Sequence, residues 1–236
     1  MTAHSYIPRE EGEFLQKLIL EVKPRVSVEV GLGYGISSLF ICEALTQVQA
    51  ERHIIIDPYQ FPGWGGIGLH NLKEAGYDRL VDFREAPSHL ALPQLEAEGL
   101  RIDFAFIDGW HTFDYALVDF FYIDRLLRVG GVVAFDDAMY TSIRKVCRYV
   151  ATNRAYTVID DGVARPRPRR PWWETRLLAT PGVSTYLRRM ARPEIIETDE
   201  ALRLPNVNYT AFKKERDDIL GDGSPGTRRW DFHAEF

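Results

Sequence analysis

A short apolar run, Val26-Ser27-Val28-Glu29-Val30, ends in three glycines at alternate positions, Gly31, Gly33 and Gly35, and opens into Ser37 to Leu45, a stretch of helical composition. β-Branched residues, then glycines, then helix formers read as strand, tight turn and helix. Glycine allows backbone conformations closed to other residues and lets the main chain come close to a ligand. The spacing is G-x-G-x-G behind an acidic strand residue, which differs from the G-x-G-x-x-G of dinucleotide-binding folds.

The rest of the chain repeats the alternation. Glu10 to Val22 is expected as an amphipathic helix with Phe14, Leu15, Leu18 and Ile19 on one face, stopped by Pro24 before the first strand. His53-Ile54-Ile55-Ile56 gives a second strand that ends at Asp57-Pro58. Asp57 lies about twenty residues beyond the glycines, where a carboxylate can accept both hydroxyls of a ribose; a plain turn cap before proline is the competing reading. Further on, 69–75 reads as helix, 81–85 as strand, 90–98 as helix, 103–108 as a strongly apolar strand, 113–127 as helix stopped by Gly130-Gly131, 132–137 as strand and 142–151 as helix. Tyr156 to Ile159 and Asn208 to Phe212 are expected as a sixth and a seventh strand. With 236 residues and 45% hydrophobic content, the pattern fits one α/β domain with a single core.

Strands four and five both end in acid, Asp108 on one and Asp136-Asp137 on the other. In an open parallel sheet the carboxyl ends of the strands line the ligand crevice, so these groups should meet beside the glycine turn. Three carboxylates in one cleft repel one another unless a cation sits among them, and a divalent ion that prefers oxygen, Mg²⁺ or a relative, is the simplest partner. The alternative is structural: Asp136 and Asp137 cap the next helix and Asp108 anchors its loop.

Glu29-Val30-Gly31-Leu32-Gly33-Tyr34-Gly35 resembles the first motif of class I S-adenosylmethionine-dependent methyltransferases. Phe106-Ile107-Asp108-Gly109-Trp110-His111, with Gly130 to Asp137, is similar to the metal-dependent small-molecule O-methyltransferases of catechol and sugar or antibiotic type. The similarity covers roughly residues 10 to 150. It implies a Rossmann-like, doubly wound, mostly parallel seven-stranded sheet and S-adenosylmethionine as cofactor. Glu29, Gly31, Gly33, Gly35, Ser37, Asp57, Ala86, Ser88 and Trp110 would hold that cofactor, with Trp110 over the adenine or else packing its loop. Asp108, Asp136 and Asp137 would hold a divalent metal. His111 stands where catechol-type enzymes carry a lysine base; an imidazole, whose class titrates near neutrality, could take the substrate proton there. The implied reaction is methyl transfer to a hydroxyl of a small molecule. Metal-free transfer, transfer to nitrogen, and a non-catalytic nucleoside binder of the same fold are the alternatives.

Beyond residue 151 the resemblance weakens. Arg165-Pro166-Arg167-Pro168-Arg169-Arg170-Pro171-Trp172-Trp173 belongs to an insertion of about 163–205, with one short helix expected at 184–190. A substrate lid, a surface or homo-oligomer contact, and a nucleic-acid patch are its three readings, and a formal net charge of −5 weighs against the last. The aromatic tail, 228–236, is expected to dock on the cleft or on a partner. Cys42 and Cys147 both fall in expected helices, which suits reduced thiols in a cytoplasmic protein. The first residues lack a secretory layout, and no apolar stretch is long enough to span a bilayer, so a soluble protein is expected.

Overall fold

The strand that feeds the glycine turn lies inside the sheet, with a parallel neighbour on each side. In the computed structural model, which describes residues 7–161 and 198–217 together with Arg176, β1 (Val26–Val30) pairs in parallel with β2 (Arg52–Ile56) on one side and β4 (Ile102–Ile107) on the other. Adding β3 (Val81–Arg84), β5 (Leu127–Phe135), β6 (Tyr156–Ile159) and β7 (Thr210–Lys214) gives a seven-stranded sheet in the order β3-β2-β1-β4-β5-β7-β6. Only β7 runs antiparallel, between β5 and β6. The order reverses direction between β1 and β4, and an open α/β sheet offers its ligand crevice at such a switch point.

Period-two alternation sorts the strand side chains onto two covered faces. Ala105, Ile107, Val133 and Phe135 join Val28, Val30, Ile54 and Ile56 on the face packed by α4 (Ser88–Ala97), α5 (Phe113–Leu126) and α6 (Thr141–Asn153). Phe104, Phe106, Val132 and Ala134 point the other way, against Phe14, Leu15, Leu18 and Ile19 of α1 (Arg9–Val22) and Ile41, Ala44 and Leu45 of α2 (Ile36–Gln47). A smaller cluster seats α3 (Ile67–Glu74) through Leu72 on Cys42 and Ile55. Both cysteines are free and buried, as thiols used only for packing; burial pushes Cys147 up to about 12 and Cys42 higher still.

Two boundaries differ from the sequence expectation. Gly130-Gly131 do not end α5: the helix stops at Leu126, and the chain passes directly into β5, whose pairing with β4 shifts register between Ile102 and Phe104. The glycines absorb this irregularity, Gly130 at φ 84°, while the buried Lys214 ammonium clasps the joint by donating to the carbonyls of Asp124 (2.6 Å) and Leu127 (3.0 Å). The seventh strand begins at Thr210, so Asn208 and Tyr209 precede it. The segments at 162–197 and 218–236, which contain the Arg/Pro/Trp run, the expected 184–190 helix and the aromatic tail, lie outside the described residues apart from Arg176. Residues 198–205 rest on α6, where Arg144 and Arg148 both bridge to Asp199 at 3.2 and 2.5 Å.

Candidate active site

Gly31 sits where β1 leaves the sheet, with φ at 95°, and a Cβ there would lie 2.0 Å from the main-chain oxygen of Asp108. Only glycine permits that approach, which welds the β1 turn to the end of β4. Gly33 and Gly35 also have positive φ (51° and 78°), and a Cβ on Gly33 would meet nothing nearer than Trp64 at 3.9 Å, so this turn presents bare backbone to the crevice. The remaining polar groups brace it. The Gln60 amide donates to the Gly33 carbonyl (3.0 Å) and accepts from the Gly68 N–H (2.9 Å), and the Asn71 amide donates to the Tyr34 carbonyl (3.0 Å). Gly68 must itself be bare, because a Cβ would lie 2.7 Å from the Gly33 carbonyl.

The two acids expected beside this turn are held differently. Asp57, at the end of β2, accepts the N–H groups of Leu32 (3.0 Å) and Gly33 (3.2 Å) on one oxygen and that of Tyr59 (2.7 Å) on the other, which binds the carboxylate edge-on to the glycine turn. Glu29 is fully buried; it accepts from Ser37 (2.5 Å) and Ser38 (2.6 Å) and meets the His53 ring at 2.9 Å, while the other nitrogen of that ring meets Ser27. As placed, Glu29 and Ser37 link the strand to the first turn of α2. Ala86 and Ser88 follow β3, with Ala86 packed on the core and Ser88 buried in the first turn of α4. Ser88 bonds to Asp119 of α5, whose carboxyl burial raises to about 6. Trp110 is 57% exposed, 6.1 Å from the ring of Tyr59 and 6.5 Å from that of Tyr115, so it stands on the rim and does not pack its loop onto the sheet.

Asp108 and Asp136 follow paired residues, Ile107 and Phe135, and the Asp136 N–H donates to the Ile107 carbonyl (3.1 Å). The sheet therefore brings together the acids of β4 and β5. Burial raises Asp108 well above the usual carboxylate range, and Asp136, Glu11, Glu29 and Asp137 raise it further. Asp136 is raised by burial as well, although the Asp137 N–H, 2.5 Å from its Oδ1, works against the shift. Asp137, at φ 51°, turns back: its Oδ1 accepts from the Asn208 amide (2.8 Å) and its Oδ2 lies 3.1 Å from Nδ1 of His111. Asn208 also reaches Asp136 at 3.2 Å. Among the described residues, no three His, Cys, Asp or Glu side chains are placed to ligate one metal ion as they stand.

His111 is half-exposed, with the Tyr140 ring edge-on at 5.8 Å and its own carbonyl accepting from Ser142 (2.7 Å). Its pairing with Asp137 engages Nδ1 and leaves Nε2 as the other ring nitrogen. Exposed aromatic rings surround these loops: Tyr59 and Tyr115 lie near Trp110, and Tyr140 lies beside His111.

Three features were absent from the sequence reading. Gln60 and Asn208 carry no motif, since an amide's role depends on what the fold brings to it. Glu11 was readable, because it shares a helical face with Leu15 and Leu18, which an acid on an apolar stripe should not do without reason.

A family model described as a methyltransferase domain matches residues 28–138. Tapetum-specific methyltransferase 1 of Arabidopsis thaliana is 30% identical over 156 residues, which cover 64% of this chain and 63% of that protein. Caffeoyl-CoA O-methyltransferase of Medicago sativa is 26% identical over 156 residues, 59% of each chain. The chain thus spans about six-tenths of the length of these relatives. Among solved structures, an O-methyltransferase from Bacillus cereus in complex with S-adenosylhomocysteine superposes with a TM-score of 0.58 at 20% identity, covering 66% of this chain and 76% of that one. The O-methyltransferase of tomaymycin synthesis from Streptomyces achromogenes, in complex with S-adenosylmethionine, gives 0.56 at 23% identity, covering 65% and 73%. Glycine turn, strand order and sequence similarity agree: over residues 28–138 the chain is similar to a methyltransferase domain, and its sheet has the fold of the O-methyltransferases it superposes on.

Proposed function

We propose that this protein moves a methyl group from S-adenosylmethionine to a hydroxyl of a small molecule, assisted by a divalent cation. The observation that carries the reading is the junction at Gly31 and Asp108, where the bare glycine turn and the acids of β4 and β5 share one crevice.

The chain fits the nucleoside on its own geometry. Gly33 leaves open space where a side chain would stand, and Asp57 holds its carboxylate against that turn with lone pairs left for ribose hydroxyls. Gly31, Gly33 and Gly35 would cradle the methionine end, Ala86, Ser88 and Trp110 would border the adenine, and Glu29 and Ser37 would act by bracing the turn. The donor set at the other side, carboxylates of Asp108 and Asp136 raised first by burial and then by neighbouring acids, fits a hard cation. Asp108, Asp136 and Asp137 would hold it, and it would supply Lewis acidity that makes a substrate hydroxyl easier to deprotonate.

The chain's own residues do the rest. Asp137 orients the His111 ring, so Nε2 is the atom that takes the substrate proton. S-adenosylmethionine, when bound, would supply an electrophilic methyl to the oxygen so freed, the new C–O bond replacing the S–C bond and leaving the cofactor as a neutral thioether. Holding both reactants at near-attack distance is the main contribution of the sheet, a term worth up to ~7–11 kcal/mol. The exposed aromatic rim suits a flat acceptor. One relative of the chain, caffeoyl-CoA O-methyltransferase of Medicago sativa, is named for such an acceptor. Residues 163–205 are assigned to acceptor choice within a single domain, and free buried thiols suit the cytoplasm. The His111–Asp137 pair would also support a second reading, methyl transfer without metal.

The test is turnover of a hydroxylated aromatic acceptor with labelled cofactor, before and after chelation and on adding back Mg²⁺. Loss and recovery of activity, together with a fall of at least 100-fold in Asp136→Ala, supports cation assistance. Turnover that survives chelation selects the metal-free reading.

A further inference from the structure

Glu11 does nothing that a helix-start glutamate ordinarily does. It is the third residue of α1, the position from which a side chain reaches back to the N-cap N–H, but the N-cap is Pro8, which has no N–H, and no side-chain cap bond forms. Glu11 has no measurable exposure, and both its carboxylate oxygens are buried without a donor. An unpaired buried carboxylate is among the most costly groups a fold can hold. What it faces is acid: Asp136 first, then Asp137, and Asp108 feels Glu11 in turn.

The placement follows from the sheet. Phe104 and Phe106 of β4, and Val132 and Ala134 of β5, point to the face covered by α1. Asp108 and Asp136 continue that parity beyond the strand ends, so their side chains run toward the first turn of α1. Gly12 lets this turn close in, because a Cβ there would lie 2.5 Å from the Phe40 ring of α2. Asp137, by contrast, already accepts Asn208 and His111 on its two oxygens.

We propose that Glu11 is a further carboxylate of the cation site, so that α1 supplies a ligand alongside the acids of β4 and β5. The inference rests on the cation-assisted reading above. The competing explanation is that Glu11 stays protonated and merely donates to Asp136, consistent with burial and Asp136 pushing it up to about 10.

Glu11→Gln separates the two, since glutamine copies the neutral acid in shape and hydrogen bonding but removes the anionic oxygen. Mn²⁺ binding to the full chain with S-adenosylmethionine present, followed by the loss of the free-ion electron paramagnetic resonance signal, is the readout. The expected result is at least a tenfold weaker Mn²⁺ affinity in Glu11→Gln with cofactor affinity unchanged, and Mn²⁺ binding abolished in Asp136→Asn. Wild-type Mn²⁺ affinity in a folded Glu11→Gln overturns the inference while leaving the cation site standing. Failure of the wild type to bind Mn²⁺ overturns both together. If Glu11→Gln does not fold, Glu11→Asp serves: the shortened acid should weaken Mn²⁺ measurably, and unchanged affinity is the contrary result.

Discussion

The two sides of the crevice solve opposite electrostatic problems. On the β1–β2 side, Asp57 accepts three N–H groups, Glu29 is met by two hydroxyls and an imidazole, and Gln60 satisfies both ends of its amide. On the β4–β5 side, Asp108 and Asp136 are raised by burial, and Glu11 is buried beside them with neither oxygen paired. One side is already rigid and internally balanced, as a fixed cradle for a nucleoside should be. The other concentrates like charge that only a cation or protons can neutralise. The lesson is that negative charge at strand ends does not identify a role; the number of donors around it does.

The largest effect should come from the seam between these sides. Gly31→Ala places a methyl group 2.0 Å from the Asp108 carbonyl on a backbone at φ 95°, which should cost about 4 kcal/mol or more and remove cofactor binding. Urea unfolding and calorimetry with S-adenosylmethionine would show it; a variant of native stability would mean that the seam is looser than described.

A smaller effect concerns Asp119, buried under the β3–α4 loop with Oδ1 unpaired. Its native pKa of about 6 lies above the ordinary 3.8, because burial disfavours the charged form. The native state therefore holds this proton more tightly than the unfolded chain, so the contribution is fully present below about pH 4 and is lost as pH rises through 6. Asp119→Asn should cancel a loss of roughly 3 kcal/mol. Its stability relative to wild type should rise between pH 4 and 7.5, and a difference that stays flat across that range contradicts the assignment.

Smaller still, Asp57→Ala should weaken S-adenosylmethionine by roughly 1–3 kcal/mol, the range for a lost charge-assisted contact, and leave Mn²⁺ affinity intact. A parallel loss of both ligands would show that the two sides are coupled through the seam.

Much of this was legible before any coordinates, for identifiable reasons. The glycine turn and the strand-end acids announce themselves because each depends on local chemistry: positive φ in one case, and the parallel-sheet rule that strand ends line the crevice in the other. Helix boundaries fell within a few residues for the same reason. Gly130-Gly131 misled because a glycine pair that ends a helix and one that absorbs a strand irregularity look alike in sequence. Asn208 was read into β7, but it sits just before the strand and donates to Asp136 and Asp137. Glu29 reads as a ligand of the cofactor because of its motif, whereas its contacts to Ser37, Ser38 and His53 depend on the fold and carry no motif. Glu11 could have been noticed as an acid on the buried stripe of α1, but what it faces comes from 125 residues further along the chain, at Asp136.

The most direct test of a cradle on one side and a cation site on the other is calorimetric titration of S-adenosylmethionine and of Mg²⁺ into wild type and Asp136→Asn. The account predicts that wild type binds both, and that Asp136→Asn keeps nucleoside affinity within about threefold while losing the cation, since the hydrogen bonds of Asp136 run to Ile107, Asp137 and Asn208. Loss of the nucleoside in that variant, or a wild type that takes up the nucleoside and no cation, would contradict it.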